Sequence, residues 1–395
     1  MIVDMALYEM DELELEGKRV LIREDLNVPM ENGNITDDER IQRALPTIKL
    51  ALDSGARVML MSHLGRPKEG VYDSEFSLAP VADSLSKLLG ISVPLILDWL
   101  NGVHIKQGEV VLLENVRFNV GEEKNDDELS RKMAHLCDVF VMDAFATAHR
   151  KQASTYGVMK FAPQVCAGPL LVEELEALTQ AFEKPLRPLV AIIGGAKVSS
   201  KFKLLEALID KVDQLIVGGG IANTFLKAQG VEIGKSLYEP QWVENAKLVL
   251  EKAKAKGVQI VLPIDVVVAK SIEDAANAKI KSLNAVSTDD SIFDVGPKTS
   301  ESYRSILTAA KTVIWNGPVG LFEKVEFSKG TEALAHAVAD GSAYTLAGGG
   351  DTIAALVKFG VRDKLSYIST GGGAFLEYLE GEELPAVKIL RERCQ

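Results

Sequence analysis

The sequence has few cysteines, and they are not arranged for chemistry. Cys137, Cys166 and Cys394 are the only three in 395 residues, and they form neither a C-x-x-C pair nor a histidine-partnered zinc pattern. An odd number at wide spacing argues against the disulfide framework that stabilises small secreted domains. We therefore expect the three cysteines to be reduced and structural.

The chain also lacks a long hydrophobic run and an excess of basic residues. Its longest apolar stretch, 258–269, is interrupted by Pro263 and Asp265 well short of a membrane span. The N-terminus carries Asp4 and Glu9 where a signal peptide would carry basic residues. A net charge of −12 argues against binding to a nucleic-acid backbone. We therefore expect a cytoplasmic protein that binds neither nucleic acid nor membrane.

Two nucleotide-binding fingerprints are missing. No G-x-G-x-x-G pattern opens a strand–helix unit, although a dinucleotide-dependent dehydrogenase would require one. Segment 230–236 approaches a P-loop, but only three residues separate its glycines where that motif has four. Any nucleotide site in this chain must therefore be built from other turns.

What the sequence does contain is a repeated alternation of strand and helix patterns. Apolar, β-branched runs predict strands at 19–22, 57–61, 110–113, 139–142, 189–193, 214–217, 259–262, 312–315, 343–346 and 365–369. Helical patterns separate these runs, and a capping box at 36–39 predicts the start of one helix. Such alternation indicates an α/β fold with parallel sheets.

The length of the chain and one strand-free segment predict two domains. A chain of 395 residues is too long for one comfortable core. A helical stretch from about Leu170 to Phe182, ended by Pro185 and Pro188, separates the two sets of strands. We expect two Rossmann-like domains, 1–169 and 187–377, joined by an interdomain helix and hinge at 170–186.

Glycine clusters follow apolar runs in the second half, at 194–195, 218–220, 348–350 and 371–373. A glycine turn that leads into a helix exposes N–H groups at the positive helix end, which suits phosphate. Each cluster alone could be a tight turn. Several at strand ends favour phosphate binding, because open α/β sheets bind ligands there.

Charged side chains follow two of these glycine turns. Lys197 and Lys201 are four residues apart, and we expect both on one face of a helix start, where they repel the helix end unless an anion compensates. A solvated lysine face is the alternative. Asp351 and Thr352 follow 348–350, and Asp351 could cap the helix, hold the Mg²⁺ of a nucleotide, or do both.

Basic side chains follow strands in the first half. His63 and Arg66 share a loop stiffened by glycine and proline, and Arg117 and the pair His149-Arg150 repeat the theme after later strands. A lone histidine is more often structural. The repetition favours recognition of a small anion, since arginine forks match carboxylate and phosphate groups.

These segments together resemble the phosphoglycerate kinase family from about Gly17 to Pro385. The similar motifs are RVLIREDLNVP at 19–29, SHLGRP at 62–67, AFATAHR at 144–150, GGAKV at 194–198, WNGPVGLFE at 315–323, GGGDT at 348–352 and STGGGA at 369–374. The resemblance implies reversible, Mg²⁺-dependent phosphoryl transfer between ATP and the carboxylate of 3-phosphoglycerate, giving ADP and 1,3-bisphosphoglycerate, in glycolysis and gluconeogenesis. It also implies a monomer whose tail, from about 378 to 395, joins the N-terminal domain.

The resemblance assigns roles by position. It implies a 3-phosphoglycerate site formed by Asp25, Asn27, Arg40, His63, Arg66, Arg117 and Arg150. It implies a nucleotide site formed by Lys201, Glu323, Gly349, Gly350, Asp351 and Thr352, with Glu323 at the ribose and Asp351 at the metal. The groups that would surround the transferring phosphoryl group are Arg40, Lys197, Lys201, Gly372 and Gly373.

A non-catalytic binding protein descended from such a kinase is the remaining alternative. It would be expected to have lost some of the charged positions, and all of those named above are present. Because the two anion surfaces fall in different domains, we also expect domain closure, with hinges near 170–182 and at Ser369-Thr370.

Overall fold

The computed structural model describes residues 7–394, so Asp4 and the rest of 1–6 lie outside the described residues, as does Gln395. The chain divides into two compact units. The first contains the described residues as far as Leu175 together with those from Glu383, and the second runs from Glu176 to Glu382. The domain limits predicted from the sequence, 169 and 377, lie a few residues before the divisions at Leu175 and Glu382.

The first unit is built on a six-stranded sheet with the order β5-β6-β4-β1-β7-β8, and every neighbouring pair in it is parallel. Its strands, including a small antiparallel hairpin of β2 and β3, are β1 (Arg19–Arg23), β2 (Met30–Glu31), β3 (Asn34–Ile35), β4 (Arg57–Met61), β5 (Leu95–Ile96), β6 (Val110–Leu113), β7 (Val139–Met142) and β8 (Gln164–Ala167). Its helices are α1 (Glu39–Asp53), α2 (Ala79–Leu89), α3 (Asp127–His135), α4 (Val158–Phe161) and, near the C-terminus, the helix Pro385–Arg393.

Helix α5 (Pro169–Leu178) contains the division between the units and continues into a π-helical turn, Thr179–Glu183. It occupies the position of the predicted helical stretch.

The second unit has a six-stranded parallel sheet with the order β11-β10-β9-β15-β16-β17. Its strands are β9 (Leu189–Ile193), β10 (Gln214–Val217), β11 (Gln259–Val261), β12 (Asp265–Ala269), β13 (Lys279–Ser282), β14 (Ser291–Val295), β15 (Thr312–Asn316), β16 (Tyr344–Gly348) and β17 (Tyr367–Ser369). Its helices are α6 (Phe202–Leu208), α7 (Gly219–Ala228), α8 (Val243–Lys256), α9 (Pro297–Ala309), α10 (Lys329–Ala339), α11 (Gly350–Lys358) and α12 (Gly373–Leu379), and Pro385–Arg393 is α13.

The predicted fold class is confirmed, since all ten predicted strands fall on observed strands of the two parallel sheets. The strands are nearly continuous apolar runs because helices cover both faces of a parallel sheet. Val20, Leu21 and Ile22 of β1 are fully buried, as are all five residues of β9. The short strands β2, β3 and β5 and the edge strand β8 were not predicted. Nor was the separate antiparallel sheet of β12, β13 and β14 in the second unit.

The predicted capping box at 36–39 is wrong. Helix α1 begins at Glu39 with Asp38 at the N-cap, and no side chain caps it. The Thr36 hydroxyl instead donates to the carbonyl oxygen of Pro29, and the Asp37 carboxylate accepts from the N–H of Glu39. The polar residues of this segment therefore stabilise a turn that precedes the helix.

The cysteines and the apolar stretches of the chain were the subject of two further predictions. The three cysteines are all free, with Cys137 and Cys166 buried and Cys394 partly exposed. Among residues 7–394 no helix is both long and apolar enough to cross a membrane.

Candidate active site

The seven residues of the expected 3-phosphoglycerate site lie on one edge of the first unit. Asp25 and Asn27 follow β1, His63 and Arg66 follow β4, Arg117 follows β6 and Arg150 follows β7, while Arg40 lies in the first turn of α1. Because β1, β4, β6 and β7 are parallel neighbours, their carboxyl ends point to the same edge of the sheet. The topology therefore places on one edge side chains that are up to 125 residues apart in sequence.

Hydrogen bonds connect these loops to one another. Arg40 forms an ion pair with Asp25 through its Nη1 atom. The side-chain oxygen of Asn27 accepts the N–H of Gly65 at 2.9 Å, and the Arg117 guanidinium donates to the carbonyl oxygen of Gly65. The loop that carries His63 and Arg66 is thus fixed to the loops that follow β1 and β6.

Electrostatic effects on His63 show that the arginines converge. Burial lowers the pKa of His63 well below its usual value, and the charges of Arg23, Arg117, Arg150 and Arg40 lower it further. The imidazole is 4% exposed. A neutral histidine surrounded by four cations is the electrostatic environment that an anion would stabilise.

Two buried guanidinium atoms of this arginine cluster, Arg117 Nε and Arg150 Nη1, have no hydrogen-bond partner among the described residues. Burial, followed by the charge of Arg150, lowers the pKa of Arg117, and the charge of Arg66 contributes to the same shift. Arg66 itself is exposed at the rim. Unsatisfied buried donors are costly, so an anionic ligand would offset a cost that the ligand-free protein carries.

Sequence reasoning missed Arg23. It is the last residue of β1, it is 1% exposed, and it donates to Ser154 Oγ at 3.0 Å. Ser154 in turn donates to the buried carboxylate of Glu122. Burial lowers the pKa of Arg23 to about 10. Its position at the end of an apolar strand, two residues before Asp25, is the one signal that could have drawn attention to it.

The second unit contains a cavity of about 620 Å³ next to the glycine turns of its sheet. Glu323 and Asp351, both expected at a nucleotide, are among the residues that line it. Gly195, Gly219 and Gly220 contribute backbone to its wall. The sequence did not indicate the remaining wall, which includes Asn223, Lys235, Leu237, Lys270, Phe293 and Val319. A large, partly apolar cavity with a few charged groups is typical of a small-molecule site.

Gly219 allows two of the glycine turns to pack closely. Its φ is +67°, and a Cβ atom at this position would lie 2.6 Å from the carbonyl oxygen of Gly195. Both the left-handed backbone and the backbone contact exclude a side chain. Glycine is therefore required here for the cavity wall to form.

The expected helical lysine pair is wrong. Helix α6 begins at Phe202, so Lys201 is its N-cap and Lys197 lies exposed in the preceding turn. The Lys201 ammonium donates to the carbonyl oxygens of Gly194 at 2.6 Å and Asn316 at 3.3 Å. Burial lowers the pKa of Lys201 to about 8, although Asp351 acts in the opposite direction. Lys201 is thus a partly buried cation between two strand ends.

Helix α11 excludes the capping role that the sequence left open for Asp351. Its N-cap is Gly349, and no side chain caps the helix, so Asp351 in the first turn is exposed and does not act as a cap. The Thr352 hydroxyl is fully buried, donates to Gly348 and accepts the N–H of Gly317. The part of Thr352 that remains for a ligand is its backbone N–H, one of the unpaired N–H groups at a helix start.

Gly372 and Gly373 are exposed at the beginning of α12. Gly372 is the N-cap with φ of +48°, and Gly373 is the first helical residue. The N–H groups of these positions have no partner within the helix, because the first turn lacks preceding carbonyl oxygens. They are therefore available as hydrogen-bond donors.

Asp351 fits a magnesium ion that arrives with a nucleotide. Within residues 7–394 no group of three or more histidine, cysteine, aspartate or glutamate side chains could hold a metal by itself. Mg²⁺ commonly takes only one or two carboxylates together with phosphate oxygens and water. The single carboxylate of Asp351 supplies the protein part of that donor set, and the unpaired N–H groups of the helix start suit the phosphate oxygens.

The fold and these two sites define a class. The chain is a two-unit α/β protein with a cluster of basic side chains in one unit and a cavity of about 620 Å³ in the other, an arrangement typical of kinases that act on small metabolites.

Comparison with known proteins identifies the family. The phosphoglycerate kinase family model matches residues 10–382. Phosphoglycerate kinase from Coxiella burnetii (strain RSA 493 / Nine Mile phase I) is 60% identical over 386 residues, covering 98% of this chain and 99% of that protein. Phosphoglycerate kinase from Nitratidesulfovibrio vulgaris (strain DSM 19637 / Miyazaki F) is 56% identical over 389 residues, with the same coverage. The solved structure of phosphoglycerate kinase from Coxiella burnetii has a TM-score of 0.95 at 60% identity, covering 98% of this chain and 99% of that one.

The chain belongs to the phosphoglycerate kinase family, and it is a phosphotransferase enzyme. The resemblance seen in the sequence motifs is confirmed. Family membership also implies a nucleotide substrate.

Proposed function

We propose that this chain catalyses the reversible transfer of a phosphoryl group between ATP and the carboxylate of 3-phosphoglycerate, giving ADP and 1,3-bisphosphoglycerate. The observation that carries the proposal is the cluster of arginines around the neutral His63. A small molecule with both a phosphate and a carboxylate would compensate these charges. The cavity of the second unit, lined by Glu323 and Asp351, supports nucleotide binding there.

We assign the acidic metabolite to the first unit and the nucleotide to the second. Asp25, Asn27, Arg40, His63, Arg66, Arg117 and Arg150 would contact 3-phosphoglycerate, mostly as hydrogen-bond donors to its oxygens. Lys201, Glu323 and the turn Gly349–Thr352 would bind the nucleotide, with Glu323 at the ribose. For Thr352 the backbone N–H is the group that fits, because its hydroxyl is already paired.

The proposed reaction needs no general base. A carboxylate nucleophile has an ordinary pKa near ~4 and is already ionised at neutral pH. The difficulty is to bring two anions together and to stabilise charge on the phosphoryl oxygens during transfer. Arg40, Lys197 and Lys201, with the N–H groups of Gly372 and Gly373, would supply that stabilisation.

Magnesium would be held by Asp351 and by the phosphates of the nucleotide. When bound, Mg²⁺ neutralises charge on those phosphates and so lowers the repulsion toward the incoming carboxylate. Asp351 would orient the phosphates relative to Lys201, whose pKa already reflects the nearby carboxylate.

Because the two proposed sites belong to different units, neither unit could complete the reaction alone. We propose domain closure to exclude water, which would otherwise compete as the acceptor. The segments proposed as hinges are the region 170–182 and Ser369-Thr370. We further propose that the protein is a cytoplasmic monomer without a nucleic-acid or membrane partner.

A coupled assay tests the function. Purified protein would be given MgATP and 3-phosphoglycerate, with the acyl phosphate consumed by glyceraldehyde-3-phosphate dehydrogenase and NADH loss followed optically, with and without EDTA. We expect metal-dependent turnover that collapses in Lys201→Ala. Lys203→Ala is the matched control, because this neighbouring lysine is largely exposed and forms only a long ion pair with Glu382.

Binding of both ligands without turnover would support a different function. If each ligand binds by calorimetry but no turnover occurs, the chain is a binding protein that has kept the kinase fold. Loss of turnover in both lysine variants would argue against a specific role for Lys201.

A further inference from the structure

Arg23 contacts His63 inside the arginine cluster. The Nη2 atom of Arg23 lies 3.4 Å from Nδ1 of His63, and both side chains are buried. A guanidinium has five N–H donors and no acceptor, whereas a neutral imidazole has one donor and one acceptor. Nδ1 must therefore be the acceptor, and the hydrogen of the neutral ring must be on Nε2.

The Arg23 side chain is held in this orientation by contacts at its other atoms. Its Nε donates to Ser154 Oγ at 3.0 Å, and its Nη1 donates to the carbonyl oxygen of Glu24. The Ser154 hydroxyl donates to Glu122 Oε1 and its N–H donates to Glu122 Oε2 at 3.0 Å. Two of the three guanidinium nitrogens are thus held by other groups, and the third, Nη2, contacts the histidine.

The surrounding charges oppose protonation of His63. Arg23 on β1, Arg40 on α1, and Arg117 and Arg150 after β6 and β7 all lower its pKa in addition to the effect of burial. The carboxylate beside this cluster, Asp25, is paired with Arg40. The neutral ring is therefore the relevant form near neutral pH.

We propose that Arg23 is a positioning residue that fixes His63 as the Nε2–H tautomer, so that His63 offers a neutral hydrogen-bond donor to the anionic substrate. The proposal rests on the proposed function for the identity of that substrate. The other tautomer would direct a lone pair at an anion, which repels it. Fixing the tautomer through a permanent cation makes the donor independent of pH over the neutral range.

The tautomer can be measured without substrate. The full-length ligand-free protein would be labelled with ¹⁵N-histidine, and long-range ¹H–¹⁵N correlation spectra would be recorded from pH 6 to 9, with His63→Asn identifying the signal. We expect the Nε2–H pattern for His63 throughout this range. An Nδ1–H pattern, or an imidazolium pattern at pH 7, would overturn the proposal.

Variants test the role of Arg23. In Arg23→Met, His63 should show a mixture of tautomers, and KM for 3-phosphoglycerate should rise about tenfold, because a hydrogen bond to a charged group is lost in part of the population. An unchanged tautomer in this variant would overturn the proposal. If Arg23→Met does not fold, Ser154→Ala loosens the guanidinium while keeping its charge, and it should broaden or mix the His63 pattern. If the folded variants show the same His63 pattern as the wild-type protein, the role assigned to Arg23 is wrong.

The positioning role of Arg23 and the proposed function can be rejected independently of each other. The Nε2–H pattern without turnover of 3-phosphoglycerate would leave the positioning role intact and reject the proposed function. Turnover with the Nδ1–H pattern would reject the positioning role alone.

Discussion

Lys201 donates its ammonium group to the carbonyl oxygen of Gly194 at 2.6 Å, which holds the cation at the end of β9. A second, longer bond reaches the carbonyl oxygen of Asn316 at the end of the neighbouring strand β15. Two of the three N–H donors of the ammonium are thus directed at backbone carbonyl oxygens. Burial lowers its pKa to about 8, so the cation can lose its proton within a pH range accessible to assay.

We predict an alkaline decline in kcat/KM for the nucleotide with an apparent pKa near 8. The charged ammonium is required to attract phosphate, and kcat/KM reports ionisation in the free enzyme. Nucleotide phosphates would raise the pKa of bound Lys201, so kcat should stay constant to higher pH. Initial rates from pH 6 to 10 would separate the two profiles.

Lys203→Ala should keep this decline, because Lys203 is exposed and one position beyond the start of α6. If kcat and kcat/KM fall together with the same apparent pKa, the titrating group is not one that the nucleotide stabilises. Lys201 would then be excluded as its origin.

Arg40→Ala should lower kcat on the order of 100-fold while changing the affinity for 3-phosphoglycerate much less. The reason is that its charge is proposed to meet the transferring phosphoryl group rather than the resting substrate. Steady-state kinetics with direct binding measurements would distinguish the two effects. A change confined to KM would assign Arg40 to ground-state binding.

The double variant Arg40→Ala/Asp25→Asn is the control for this experiment. Arg40 is ion-paired with Asp25, so the single variant also leaves a partly buried carboxylate without its partner. Recovery of kcat in the double variant would show that the loss came from the unpaired Asp25 and not from the missing cation.

Much of the fold could be predicted because the strands of both parallel sheets are buried apolar runs. β9 and β15 are buried at every residue, which makes their sequences distinct from the helices around them. The antiparallel sheet could not be predicted in the same way. Its strand β13 is Lys279–Ser282, a mostly exposed polar segment, so hydrophobic periodicity gives no signal there.

The sequence indicated which residues belong to the candidate site, but it could not indicate their hydrogen-bond partners. The motifs located His63 and Lys201, yet the partners that determine their chemistry are distant in sequence. Asn316 is 115 residues from Lys201, and Ser154, which fixes Arg23, is 131 residues from it. Such pairs exist only after the strands align, and no local pattern encodes them. The same reason explains why the start of α6 was predicted too early.

Asp351→Asn should raise the Mg²⁺ concentration needed for half-maximal turnover by at least about tenfold, since even indirect metal contacts commonly contribute that much. Turnover would be titrated with Mg²⁺ at fixed nucleotide. Stability should change little, because Asp351 is exposed and does not cap α11. Asp363→Asn, at another exposed aspartate of the same unit, is the matched control and should leave the Mg²⁺ requirement unchanged. An equal requirement in both variants would remove Asp351 from the metal site.

Glu24 and Asp143 are a pair of buried carboxyl groups that interact electrostatically. Burial, with the charges of Asp143 and Asp25, raises the pKa of Glu24 well above its usual value, and burial raises that of Asp143 to about 7. Asp143 accepts hydrogen bonds from the Thr47 hydroxyl and from the N–H of Leu171 in α5. Glu24 Oε1 has no partner among the described residues. Glu24 is therefore the member of the pair that can be replaced with the least loss of contacts.

Glu24→Gln should stabilise the protein at pH 8 relative to pH 5. An acid whose pKa is raised in the folded state binds its proton more tightly there, so its contribution is favourable at low pH and is lost as the pH rises toward the folded pKa. A neutral amide removes that loss, so the substitution should raise the stability at pH 8 more than at pH 5. Urea unfolding midpoints of both proteins at the two pH values would measure it. Glu75→Gln, at an exposed glutamate of the same unit, is the control and should show no such difference between the two pH values. An equal effect of both substitutions would mean that Glu24 is already ionised without penalty in the folded protein.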